Sequence, residues 1–256
     1  MSYIALASTT LILIFRAAEA RHAPFSNLFE SMILFIWATN VGYLVLEYKH
    51  KQRVIGVFVM TIESIAMLSA ALLPYKFKSV EPLNPALQSK WHWMQDLLSH
   101  VGLEQYAIGW LDFHVFSTFV GYGAFAISFG LGIMYLLKGW FEEKGRSNVL
   151  IDMFPDTAML DELGYRAIAW GFPFLSIGII SGAVWADYAW GTYWSWDPKE
   201  TWSLITWLIY ATYLHARVTR GWRGKRAAIL SVAGFLAVIF LYWGVSFVLP
   251  GLHAYA

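Results

Sequence analysis

Residues 113–137 read FHVFSTFVGYGAFAISFGLGIMYLL, twenty-five positions without one Asp, Glu, Lys or Arg. A helix of that length is about 37 Å long, more than the ~30 Å hydrocarbon core of a bilayer. Gly121, Gly123, Gly130 and Gly132 within it are small residues of the kind that let membrane helices approach closely. The run is continuous rather than alternating, so it predicts a spanning helix and not a strand of a membrane barrel.

Working outward, further apolar runs repeat the pattern. A short first helix is expected over about Tyr3–Phe15. Ala18-Glu19-Ala20 resembles a signal-peptidase site, but no Lys or Arg precedes the apolar stretch, so it is read as a first span. Others are expected over about Ser31–Tyr48, Val54–Leu73, Gly164–Ala186, Glu200–Arg217 and Ala227–Leu249, giving about seven in all. The fold class is thus an all-α polytopic membrane protein, one domain over residues 1–256. The long polar interruption 75–112 holds apolar positions at near-helical spacing from Leu87 to His100, a segment suited to the membrane surface.

Across the 256 residues, 58% are hydrophobic and 14% charged, with net charge +1 and no basic tract of the kind that binds nucleic acid. Lys49, Lys51, Arg53, Lys138, Lys144, Arg146, Arg217, Arg220, Arg223, Lys225 and Arg226 follow the second, fourth and sixth spans. Only Arg16, Arg21, Lys76, Lys78, Lys90 and Lys199 lie on the opposite side. This bias predicts an inner N-terminus and an outer C-terminus. Loop 75–112, the segment about 187–202 and the C-terminal tail then share the outer face.

The segment 187–202 contains four indoles in thirteen residues, Trp190, Trp194, Trp196 and Trp202, with Gly191 after the first. Pro198 biases Asp197 away from the α region, which makes Asp197 an N-cap, Pro198 the first helical residue and Glu200 the capping-box acid. Such ring density fits an interfacial aromatic belt or a flat shelf for a large planar hydrophobic ligand. On these residues alone both readings stand.

There is no cysteine, so a metal held by this chain relies on His, Met or oxygen ligands. Of seven histidines, His114 and His253 fall at the outer ends of the fourth and seventh spans. One His at a helix end is ordinarily an interfacial hydrogen-bonding residue. Two beside an aromatic shelf match the two axial positions of a haem iron. His215, in the last turn of the sixth span, is either a cation favoured at a helix C-terminus or a second ligand whose mate comes from another subunit. Glu63 is an intramembrane carboxyl that requires a partner or water.

With these residues set out, the chain resembles the CcsA family of system II cytochrome c biogenesis, whose members carry a tryptophan-rich "WWD" segment. The resemblance rests on Trp190-Gly191-x-x-Trp194-x-Trp196-Asp197-Pro198-Lys199-Glu200-Thr201-Trp202. It also rests on His22-x-Pro24-x-Ser26-Asn27-Leu28-Phe29-Glu30-Ser31, Pro85-Ala86-Leu87-Gln88-Ser89, His114-Val115 with Gly121-Tyr122-Gly123-Ala124-Phe125, Tyr213-Leu214-His215-x-Arg217 and Gly251-Leu252-His253-x-Tyr255. It implies a holocytochrome c synthase (haem lyase) subunit in a bacterial cytoplasmic or thylakoid-type membrane, active on the outer, periplasmic face. Its implied partners are a CcsB/ResB-type membrane subunit, apocytochrome c bearing Cys-x-x-Cys-His, and thiol-reducing thioredoxin-like proteins. The implied substrate is haem b, held by His114 and His253 at an outer site on the Trp-rich segment, with His215 an intramembrane ligand beside a partner's His. Asp197 and Glu200 are expected to fix loop shape rather than move protons. Two departures are noted. The chain is shorter at its N-terminus than many members, and it has an insertion before His114 that makes His100-Val101 a decoy for His114-Val115. The alternatives are a haem exporter without synthase activity and a b-type electron-transfer protein.

Overall fold

The computed structural model describes residues 1–80, 90–249 and 251. Pro85–Ser89, the start of the expected surface segment at Leu87, and His253 lie outside the described residues. Among the described residues ten α-helices follow one another: α1 Ser2–Ala20, α2 Leu28–His50, α3 Ile55–Leu72, α4 His92–Ser99, α5 Trp110–Glu143, α6 Val149–Asp152, α7 Thr157–Trp190, α8 Pro198–Thr219, α9 Lys225–Ile239 and α10 Val245–Val248. A π-helical turn, Phe240–Gly244, joins α9 to α10. Among the described residues no strand is present, only an isolated bridge between Lys90 and Gly109.

Among the described residues six elements are long and apolar enough to cross a membrane: α1, α2, α3, α5, α7 and the continuous stretch Lys225–Val248. The expected span over Glu200–Arg217 forms as α8, whose 22 residues reach about 33 Å. It is more polar than the other six. Helices α5 and α7, at 34 residues each, run well past their apolar runs into charged ends.

Helix α5 is the hub. It packs along α7 over most of its length, and against α9, α2 and α3. Gly121 of α5 and Gly171 of α7 face each other, and a side chain added at either would meet the opposite carbonyl oxygen at 3.0–3.1 Å. That proximity is what small residues permit when lipid supplies no hydrophobic drive between helices. Behind it, Phe125 and Tyr210 stack with centroids 3.6 Å apart, carrying α8 onto α5. By contrast α1 buries little beyond Thr9 and is held to α2 by the Trp37 indole N–H donating to Thr10 at 3.0 Å.

Several buried polar groups find partners across helices, which an apolar medium favours. Arg16 of α1 pairs with Glu30 of α2 at 2.9 Å and donates to the Lys78 carbonyl at 2.8 Å. Glu30 also accepts from the Ser26 backbone and hydroxyl, each at 3.0 Å, while Asn27 caps α2. At the other end of the bundle Arg217 of α8 pairs with Asp161 of α7 at 2.6 Å, and Lys138 donates to the carbonyls of Phe154 and Pro155. The basic connections after α5 and α8 therefore share one end, and the segment 190–202 lies at the opposite end.

Candidate functional site

At the Trp-rich end, α5, α7, α8 and the turn into α10 enclose a cavity of about 550 Å3. Its volume is in the usual range for small-molecule sites, ~300–1,000 Å3. The wall is mostly apolar and aromatic, with His114, Lys199 and Glu200 among its polar side chains.

The His114 ring is held from α7. Its Nδ1 lies 2.6 Å from the Gly178 carbonyl oxygen, and a carbonyl only accepts, so Nδ1 carries a proton. A donated N–H of this kind fixes tautomer and ring direction in metal-binding histidines. The ring lies flat enough against α7 to need Gly182 there: a Cβ at that position would sit 2.5 Å from Nδ1 and 2.6 Å from Cε1.

The loop between α7 and α8 is built by two carboxylates. Helix α7 ends at Trp190, with Gly191 left-handed (φ 76°) behind it. The chain restarts at Asp197, whose carboxylate caps α8 through the Lys199 N–H at 3.0 Å. Glu200 completes the capping box and reaches back over the loop. It accepts from the Ser195 N–H at 2.7 Å, the Asp197 N–H at 3.2 Å and the Ser195 hydroxyl. Those two backbone bonds flank Trp196, which takes the left-handed φ of 60°, uncommon for a non-glycine residue. Both acids thus fix the loop, as their spacing predicts.

Trp190, Tyr193 and Trp194 line the cavity. Trp196 and Trp202 do not. Trp196 is 68% exposed and meets Trp194 edge-on at 5.8 Å, and Trp202 turns inward onto Phe240 at 4.4 Å. Trp185, one turn before Trp190 and edge-on to it at 4.8 Å, joins the wall instead. The aromatic surface is therefore a corner of crossed rings rather than one flat shelf. Phe25 and Ser26, from the turn between α1 and α2, and Tyr242, from the π-turn, close the far side. The Tyr242 hydroxyl lies 2.7 Å from that of Ser31.

His253 lies outside the described residues. Gly251, two residues before it, packs against Asp197 and Pro198. His100, at the end of α4, is exposed and bonded to the Asp96 carbonyl, and it does not line the cavity. His215 points out of the bundle on the face of α8 that also exposes Leu208 and Thr212. It is sixteen residues, about 24 Å of helix, beyond Lys199.

Spacing of residue types did not single out Lys199, which stands in the first turn of α8 just ahead of the expected span. Burial pulls its ammonium down to about 8, only partly offset by the Asp197 carboxylate. A cation in a helix's first turn opposes the helix dipole, and that was the available signal.

Residues 94–253 match the family described as cytochrome C assembly protein. The chain is 40% identical over 270 residues to the cytochrome c biogenesis protein CcsA of Guillardia theta, covering 98% of this chain and 83% of that protein. It is 35% identical over 305 residues to the CcsA of Gloeobacter violaceus (99% and 84%) and 40% identical over 270 residues to that of Microcystis aeruginosa (94% and 81%).

Proposed function

The chain belongs to the CcsA group of the cytochrome c assembly family, and from that premise we propose that it is the haem-holding subunit of a cytochrome c synthase. Haem b is its substrate, brought to the outer face and seated in the cavity, with His114 and His253 as the axial pair. Seven spans, α8 included, put the cavity, the Trp-rich loop and the C-terminus on that outer face, and the basic connections inside.

One observation carries the reading: the His114 ring, its Nδ1 proton committed to Gly178, borders an aromatic-walled cavity large enough for a small-molecule ligand. Stacking on Trp190 and Trp194 contributes binding, and the imidazoles set the ring's tilt. The protein works by positioning. Apocytochrome c enters with its own His and two Cys, the His takes one axial place, and each thiol meets a vinyl group already in reach. Each S–H adds across one vinyl C=C. Sulfur bonds the carbon next to the macrocycle, hydrogen goes to the terminal carbon, and no oxidant is consumed. No side chain of this chain is required as a nucleophile.

His215, facing out of α8 at the other end of the bundle, is the intramembrane ligand, completed by a His of a CcsB/ResB-type subunit. Its outward position leaves the imidazole open to a second subunit, which supports this assignment. Thioredoxin-like proteins keep the apocytochrome thiols reduced.

The test is reconstitution of the chain with its partner subunit, reduced haem and a Cys-x-x-Cys-His peptide. A peptide heavier by one haem, stable to acid–acetone extraction, is the expected product. Haem bound by the complex but never transferred to peptide would overturn synthase activity and leave a haem carrier.

A further inference from the structure

We propose that the connection between α8 and α9 binds the headgroup of an anionic phospholipid, with the guanidinium groups of Arg220 and Arg223 holding its phosphate. The inference is independent of the haem reading, and either can fail without the other.

Charge is placed unevenly in this part of the chain. From residue 201 to the end there is no Asp or Glu, and every Lys and Arg of that stretch falls within 217–226: Arg217, Arg220, Arg223, Lys225 and Arg226. Three of them are already engaged. Arg217 pairs with Asp161 at 2.6 Å, Lys225 approaches Glu143 at 3.8 Å, and Arg226 lies over the Trp222 ring at 5.9 Å. The side chains of Arg220 and Arg223 are exposed, with no ion pair, hydrogen bond or ring contact among the described residues.

Marking one side of a membrane asks only for cations in number, whereas this loop also fixes where they stand. The Arg220 and Trp222 N–H groups both donate to the Ala216 carbonyl at 3.1 Å. The Gly224 N–H donates to Asp161 at 2.8 Å, and Arg217 donates to the Trp222 carbonyl at 3.3 Å. Gly221 and Gly224 supply the left-handed turns, with φ of 64° and 67°. A backbone so held presents two planar guanidinium forks, whose donors fit paired phosphate oxygens. The occupant is a lipid rather than a free anion, because an apolar track leads away from the loop. Ile229, Leu236 and Ile239 are exposed along one face of α9, within the membrane-crossing stretch Lys225–Val248. An acyl chain laid on that face brings its headgroup to the loop. There Trp222, half-buried just ahead of the crossing stretch, stands at the level that indoles favour.

The experiment titrates the full chain, in a neutral detergent, with phosphatidylglycerol and with phosphatidylcholine, which carries a phosphate but no net charge. Bound lipid is counted by native mass spectrometry in wild type and in two double variants. Arg220→Gln with Arg223→Gln empties the site of its free cations. Lys49→Gln with Lys51→Gln removes the same charge from another connection at this end of the bundle. Wild type is expected to hold phosphatidylglycerol about tenfold more tightly than phosphatidylcholine, the scale of one or two surface cations beside an anionic headgroup. The arginine variant should lose that preference with phosphatidylcholine binding unchanged, and the lysine variant should keep it. Equal binding of the two lipids by wild type, or an undiminished preference in the arginine variant, overturns the inference. An equal loss in the lysine variant also overturns it, since that marks summed charge and not a site. Displacement of phosphatidylglycerol by inorganic phosphate does the same, because it leaves a free-anion site only.

Discussion

The Nδ1 of His114 on α5 donates to the Gly178 carbonyl of α7 across 2.6 Å, and Gly182, one turn on, leaves room for the ring. The direction of this imidazole is therefore set by α7, although the residue belongs to α5. Gly182→Ala should push the ring off that wall and weaken haem binding by about tenfold, a misplacement effect with no ligand removed. Gly139→Ala, at a site with nothing within 4 Å, is the control and should leave haem titrations unchanged.

Glu200 clamps the loop on both sides of Trp196, whose left-handed backbone persists only under such restraint. Glu200→Ala should lower stability by about 1–2 kcal/mol, the scale of a lost cap, and let the Trp194–Trp196 pair move. Thermal unfolding and near-ultraviolet circular dichroism in detergent measure both. A full-strength indole signal with unchanged unfolding would remove the clamp from the account.

Glu63 of α3, 3% exposed, accepts from the Asn40 side chain of α2 at 3.1 Å, and its other oxygen has no hydrogen-bond partner among the described residues. Breaking the pair from one side leaves a polar group stranded. Asn40→Leu should therefore be destabilising by about 1–3 kcal/mol, and Asn40→Leu with Glu63→Leu less so than Asn40→Leu alone. A double-mutant cycle on unfolding midpoints decides it.

Burial lowers Lys199 to about 8 from its ordinary 10.5. The folded, empty protein thus binds fewer protons than the unfolded chain between those values, and its stability rises with pH across that window. Below about pH 8 the charged lysine is at its most costly. Lys199→Met should accordingly melt at a higher temperature than wild type at pH 7, with the gain shrinking as pH climbs from 8 towards 10.5. A gain independent of pH would show that the lysine is not held charged in the empty cavity.

Much of this was legible from residue order. Apolar runs mark the spans because only self-satisfied backbone crosses lipid, and Asp197-Pro198 with Glu200 marks the start of α8 because capping chemistry is local. The ends of α5 and α7 were missed for the converse reason. Lys138–Glu143 and Thr157–Leu163 are helical through propensity and ion pairs such as that of Arg217 with Asp161, which hydropathy does not register. Spacing grouped Trp202 with the other indoles, but a ring's direction depends on the phase of its helix, and α8 turns it onto Phe240. Lys199 counts as an outer-side charge in the sequence, because its burial comes from tertiary packing, which no local pattern reveals.

The central claim is that His114 and His253 hold the haem iron from its two sides. The most direct measurement is the absorption spectrum of the purified complex as wild type, His114→Ala and His253→Ala, each with and without imidazole. The account predicts that both variants lose haem or shift its bands, and that imidazole restores the wild-type spectrum. A haem spectrum left unchanged by His114→Ala would contradict it and move the ligand elsewhere, to His100 or His215.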